Sequence, residues 1–264
     1  MEFTLVQSSV TDYQGAAVIL PVTSEGTQPS ATAQMDQQLN GFITQLIENK
    51  DLKAKAGETL VVPQANGPRL VLVGVGSLPA KGKDFVKAMQ SAAKALKASA
   101  ASDALINITG VEIDGQDGAW AHAQLAQAFQ DSLYHFDECK SKKDDEPKPA
   151  AIETLNIAGA DEFQADIQYG QAVARGMALA KKLGDLPGNV ATPSYLADEA
   201  GKLASLSDKM ATTILDEDKM EDLGMGSFLS VSKGSIEPGK LICMNYQGGK
   251  DGDPREPKGE PLGP

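Results

Sequence analysis

Ala16–Val22 reads AAVILPV, seven residues with no charged or polar side chain among them. A half-buried strand alternates apolar and polar residues, and this run does not alternate. It therefore reads as a central strand, which has to be covered on both faces. The flanking sequence supplies partners and cover. Phe3–Ser8 alternates and reads as a half-buried strand. Glu58–Pro63 and Arg69–Val75 flank Asn66-Gly67, a strong hairpin signal. Ala104–Ile108 and Ile152–Ala158 are two further buried strands. Between them, three segments follow the helical period. Ala31–Asn49 repeats at Met35, Leu39, Phe42, Ile43 and Leu46, and Lys83–Ala100 places Phe85, Met89, Ala92 and Leu96 on one face. Ala119–Phe136 is the third. Strands alternating with helices predict an α/β domain with a mixed sheet.

Composition narrows the partners. The 264 residues carry a net charge of -12, so neither nucleic acid nor an anionic membrane is a suitable partner. Cys139 and Cys243 are far apart, which is no disulfide framework, and a reducing cytosol is the expected compartment. MEFTLVQSSV lacks a basic, then apolar, leader pattern, and no stretch is long and apolar enough for a membrane span.

Asp161–Leu186 predicts the longest helix. Phe163, Ile167, Gly170, Ala174 and Met177 form its stripe, with Lys181 and Lys182 where cations suit the dipole. At 1.5 Å per residue it would run roughly 39 Å, enough to connect two domains. Beyond it, Leu186-Pro187-Gly188-Asn189 ends the helix, and Thr192-Pro193 opens a capped one with Leu196, Ala200 and Leu203 buried. Thr212–Leu215 reads as a strand, and Asp216 as the cap of Glu217–Leu223, which Gly224 ends. Met225, Phe228 and Leu229 mark a short helix closed by Gly234, and Lys240–Tyr246 a buried strand. This β-α-α-β unit is expected to start a second, mostly parallel sheet.

Several of these residues also carry a resemblance. Pro187, Asn189, Thr192 and Pro193 match a Pro-x-Asn-x-x-Thr-Pro turn, and Gly224 to Val231 match Gly-Met-Gly-x-Phe-Leu-x-Val. Tyr246 and Gly248 match a Tyr-x-Gly strand exit, and Tyr134-His135-Phe136-Asp137 precedes Lys140-Ser141-Lys142-Lys143 upstream. With these motifs in order, the chain to about Gly249 resembles the leucyl aminopeptidases, the cytosol aminopeptidase family of two-metal exopeptidases. The resemblance implies a macro-like N-terminal α/β domain over residues 1–160 and a connector helix over 161–186. Residues 187–249 would be the first part of a mixed-sheet catalytic domain, and 250–264 a disordered tail. It also implies removal of N-terminal residues, leucine preferred, from peptides, in a cytoplasmic homo-oligomer of six subunits.

The family's chemistry uses two divalent ions, Mn or Zn, which polarise the scissile carbonyl and supply hydroxide. The resemblance places their ligands in segments like Lys-Gly-x-Thr-Phe-Asp-Ser-Gly-Gly and Asn-Thr-Asp-Ala-Glu-Gly-Arg, and neither string occurs here. Lys258-Gly259 mimics the first start, but Glu260-Pro261 follow. No metal ligand, catalytic residue or cofactor contact is therefore carried over, and the ligands are expected beyond residue 264. The chain alone is expected to be inactive, with a non-catalytic oligomerisation or regulatory module as the alternative role.

The remaining candidates have plain readings. Gly74-Val75-Gly76 resembles a dinucleotide loop, but Pro79 replaces its final small residue, so a tight strand exit is expected. Asp131, His135 and Cys139 would share a helix face suited to a transition metal only if the helix ran past His135. His122 is expected to be solvated or satisfied in the core. Asp216, Glu217, Asp218, Glu221 and Asp222 reflect helix-start dipole complementarity rather than a cation site. Met220, Met225 and Phe228 are expected in the core, and Lys140–Pro149 as a solvated loop.

Overall fold

The computed structural model describes residues 1–99, 101–141 and 152–248. The chain divides into two compact units, Met1–Lys181 and Lys182–Pro264. The tail 250–264, with Lys258-Gly259, and most of the Lys140–Pro149 loop lie outside the described residues.

The first unit is built on a six-stranded sheet. Its strands are β1 (Glu2–Val6), β2 (Ala17–Thr23), β3 (Thr59–Val62), β4 (Arg69–Gly76), β5 (Asp103–Ile106) and β6 (Thr154–Ala158). They lie in the order β1-β6-β5-β2-β4-β3, with every pair parallel except the β3–β4 hairpin. The apolar run became β2, an interior strand with every residue buried. Its alternate side chains enter two cores.

On one face Ile19, Val71, Val73 and Ile106 meet Phe85, Met89 and Leu96 of α3 (Gly82–Ala98), with Leu125 and Phe129 of α4 (Gly118–Ser132). On the other, Val18, Leu20, Leu70 and Leu105 meet Met35 of α1 (Ser30–Gln38) and Ile43 of α2 (Phe42–Glu48). Each fully buried Leu, Phe or Met is worth about 1.5–3 kcal/mol in transfer from water, so this double cover is what holds the sheet. Ile167 of α5 (Gln164–Asp185) joins the first core.

The segment expected as one helix over Ala31–Asn49 is two. Asn40 and Gly41 have φ of 55° and 80°, and Gly41 N–H bonds Asp36 O in a helix-ending turn. The Asp36 carboxylate then accepts from the backbone N–H groups of Ile43 (2.7 Å) and Thr44 (3.2 Å), so a side chain of α1 caps α2. The apolar period continues across the break, and for that reason periodicity alone did not reveal it.

The predicted connector begins with a 3-10 turn, Asp161–Phe163, and continues as α5 across the division between the units. Gly170 is buried on α5, where a Cβ would stand 2.1 Å from Ala123 O.

The second unit contains α6 (Pro193–Ala204), β7 (Met210–Leu215), α7 (Glu217–Asp222), α8 (Gly226–Ser232) and β8 (Leu241–Tyr246). Thr192 caps α6 by accepting from Tyr195 N–H at 3.2 Å, as its sequence predicts. Gly224, at φ 71°, ends the turn after α7. Four expectations are corrected. β7 and β8 pair antiparallel rather than parallel. β8 is not buried, because its partly buried start gives way to four exposed residues, Cys243 to Tyr246. On α6 the buried positions are Ala197 and Ala200, and Leu196 faces out. Met220 is fully buried, Met225 only half-buried, and Phe228 is 46% exposed. The apolar character of these segments was legible, but hydrophobicity does not say what covers them.

Candidate functional site

A concavity of the first unit opens beside the carboxyl ends of β5 and β6, the end where open α/β sheets present their crevices. Its volume is about 550 Å³. The loop from Ile108 to Gly118, the Gly159 turn and Glu162-Phe163 form its walls. Gly110 and Gly159 adopt φ of 84° and 68°, which lets the chain turn sharply off each strand.

Asp117 and His122 define the local chemistry. Asp117 accepts from Trp120 N–H at 2.8 Å and so fills the anion-attracting N-terminus of α4. His122, one turn on, is 5% exposed and stacks on Phe163 with centroids 4.2 Å apart. Its Nδ1 lies 2.7 Å from Gly118 O. A carbonyl can only accept, so Nδ1 carries the proton and Nε2 of the neutral ring keeps a lone pair. Burial lowers the imidazole pKa below its ordinary 6.5, against opposing pulls from the Gly118 carbonyl, Asp166 and Glu162. Gly118 is required here, since a Cβ would come within 2.6 Å of the Phe163 ring. His122 was expected to be either solvated or satisfied in the core, and of the two the structure gives the second: it is buried and bonded. The cleft beside it had no signal in sequence, because it is assembled by segments far apart in the chain: Pro79, the stretch from Ile108 to His122, and the stretch from Gly159 to Phe163.

The other candidates are dispersed. Gly74 and Gly76 form a tight strand exit: Gly76 has φ 81°, and a Cβ on Gly74 would strike Lys55 O at 2.3 Å. Asp131 pairs with Lys181, which also lies 5.5 Å over the Tyr134 ring. Lys181 therefore joins α5 to α4, and of the two expected lysines only Lys182 stands in the last turn of α5. Helix α4 ends at Ser132, so His135 and the exposed Cys139 do not share a helical face with Asp131.

In the second unit Asp216 makes no side-chain cap and pairs instead with Lys240. Glu217 accepts from Ser232 Oγ (2.6 Å) and Gly239 N–H (2.9 Å). These partners hold both carboxyls below their usual values. Asp218, Glu221 and Asp222 are exposed on α7. Among the described residues no group of three or more His, Cys, Asp or Glu is placed to hold a metal ion. These residues do not fit a two-metal centre, and no catalytic step is derived through one.

Comparison with known proteins places the chain. The N-terminal domain of the cytosol aminopeptidase family matches residues 19–143, and the catalytic domain of the same family matches 178–257. The chain belongs to the cytosol aminopeptidase family. A probable cytosol aminopeptidase of Aromatoleum aromaticum is 39% identical over 261 residues, covering 96% of this chain and 52% of the relative. One from an Azoarcus species is 37% identical and covers 95% and 51%. Among solved structures, a tomato leucine aminopeptidase mutant superposes with a TM-score of 0.79 at 25% identity, over 94% of this chain and 51% of that one. The bottromycin maturation enzyme BotP, solved also with Mn, shares the fold at 19% identity with a TM-score of 0.67. The chain spans about half the length of these relatives. The α/β fold with its mixed sheet matches the leucine aminopeptidase structure.

Proposed function

We propose that the chain serves a metal-dependent aminopeptidase that releases N-terminal residues from peptides, leucine preferred, and that these 264 residues alone do not turn over substrate. The observation that carries this reading is the pair of family matches, N-terminal then catalytic, in chain order. In this reading residues 1–160 are the macro-like domain, 161–186 the connector and 187–249 the opening of the catalytic domain. The two divalent ions, Mn or Zn, are held by segments resembling those named above, which this sequence does not contain. The carboxylates it does place together are tied to Lys240, Ser232 and Gly239. Peptides are the substrates, the compartment is cytoplasmic, and the assembly is a homo-hexamer without nucleic acid or membrane.

Leucine-p-nitroanilide hydrolysis with added Mn²⁺ or Zn²⁺ tests the reading. The purified chain is expected to give no metal-dependent release of p-nitroaniline, and a chimera extended with the remaining half of the Aromatoleum relative is expected to restore it. Metal-dependent turnover by the 264 residues alone would sink it.

A second role, as a non-catalytic oligomerisation or regulatory module, is favoured by one observation. Leu206, Val231, Ile236 and Tyr246 of the second unit are 64–100% exposed. Such apolar side chains are suited to burial against another surface. Sedimentation velocity showing only monomer at all concentrations would remove that role.

A further inference from the structure

The six-stranded sheet of the first unit ends on an open edge. β3 stands last in the strand order and pairs with β4 alone. In an antiparallel ladder alternate residues bond the partner strand, and the residues between them turn their N–H and C=O away from it. Gly74 N–H donates to Glu58 O at 2.8 Å, so the register assigns the backbone groups of Leu60 and Val62 to β4. Those of Thr59 and Val61 face the open edge, where no backbone partner takes them among the described residues. Val61 is also 36% exposed. An edge of this kind is a template for one more strand.

Lysines from two segments flank that edge, which is a second and independent feature. Lys53 and Lys55 are exposed on the stretch that enters β3. The stretch lies against α3, since a Cβ on Gly57 would stand 3.0 Å from the Lys87 side chain and from Ser91 Oγ. α3 follows β4 and returns over the sheet, so it runs in the direction of β3. Lys94, seven residues beyond Lys87, is roughly 10 Å further along the helix, which is the rise of about three strand residues. It therefore stands level with Leu60. Lys87 and Lys94 are exposed, and none of the four lysines makes an ion pair among the described residues. The carboxylates of this region are engaged locally. Glu58 accepts from the backbone N–H groups of Lys53 and Lys55 at 3.4 and 3.2 Å, and Asp84 stands in the first turn of α3.

The two features together select the partner. Phosphate oxygens only accept, so a nucleic acid would meet the lysines and leave the Thr59 and Val61 carbonyls unmet. A second copy joined edge to edge would set both groups of lysines against each other. An extended acidic segment meets both demands, with backbone for the ladder and carboxylates for the ammonium groups. We propose that β3 is a docking edge for an extended acidic segment of another polypeptide. The segment adds as one more strand beside Thr59 and Val61, its carboxylates against Lys53, Lys55, Lys87 and Lys94. The surface lies wholly within the first unit and is independent of the peptidase reading.

The test uses a fluorescein-labelled Glu-Val-Glu-Thr-Glu-Val-Glu peptide, titrated with the full chain and followed by anisotropy. Saturable binding is expected, weakening as salt rises. The variant K53E/K55E/K87E/K94E should bind at least about tenfold more weakly, and its exposed positions should leave circular dichroism unchanged. Reversing two exposed lysines of the second unit, K209E/K219E, should not alter affinity. A peptide of the same charge, N-methylated at alternate residues, loses the donors a new strand needs and should bind about tenfold more weakly. Hydrogen exchange gives the local readout, with the Thr59 and Val61 amides slowed in the complex. The proposal is overturned by absence of saturable binding or by equal affinity in the fourfold variant. Equal affinity of the N-methylated peptide, or of a single-stranded oligothymidine of matched charge, would also overturn it, as would exchange at Thr59 and Val61 left unchanged at saturation.

Discussion

Two glycines on α5 should respond to the same substitution with opposite signs. A methyl added at Gly170 would lie 2.1 Å from the Ala123 carbonyl oxygen and 2.9 Å from its carbon, both backbone atoms of α4. Ordinary contact begins near 3.4 Å, so the helices must part by more than 1 Å, and the buried Ile167 and Ala174 lose packing with them. Overpacking of this kind costs about 1–3 kcal/mol. Replacing a helical glycine by alanine returns at most about 1 kcal/mol. Gly170→Ala should therefore destabilise the first unit by about 1–2 kcal/mol. At Gly176 nothing lies within 4 Å of the added methyl, so only the favourable part remains, and Gly176→Ala should stabilise by about 0.5–1 kcal/mol. Urea unfolding followed by fluorescence reads the right unit, because Trp120 is the only tryptophan and sits on α4. The G170A midpoint should fall by roughly 0.5–1 M at unchanged slope, and that of G176A should rise. If G170A is as stable as the parent, the close α4–α5 contact does not exist in solution and the argument fails.

The second unit has few buried apolar residues, among them Ala197, Ala200, Met220 and Leu229, so its amides should exchange faster than those of the six-stranded sheet. Equal protection in β8 and β2 would contradict that expectation. His122 makes stability pH-dependent: its pKa is lowered by burial, so the unfolded chain takes up the proton first. The contribution is full above the unfolded value of about 6.5 and is lost as pH falls through it. Between pH 7 and 5.5 the parent should lose stability by Trp120 fluorescence more steeply than His122→Gln, and parallel curves would refute the assignment.

Much of the first unit was legible because its signals are local. A seven-residue apolar run reads as an interior strand and is one, and Asn66-Gly67 lies in the connection between the antiparallel β3 and β4 that its hairpin signal predicts. The face Phe85, Met89, Ala92 and Leu96 was readable from spacing and is buried as read. The break after Gln38 was not, since the Asp36 carboxylate caps α2 from another helix and leaves the apolar period intact. In the second unit the caps at Thr192 and Gly224 were visible, while the burial of Leu196, Phe228 and β8 was not. Those side chains are apolar in any setting, and their exposure depends on what packs against them.

The chain by itself determined its family, its α/β class and the order of its strands and caps, because turn residues, hydrophobic period and motif spacing act over a few residues. Tertiary structure decided the antiparallel pairing of β7 with β8, the diversion of Asp216 to Lys240, and the acidic cleft around His122, as it did the break after Gln38. The first three depend on groups brought together from distant positions, and no local pattern encodes which carboxylate finds a cation and which is left facing a cleft.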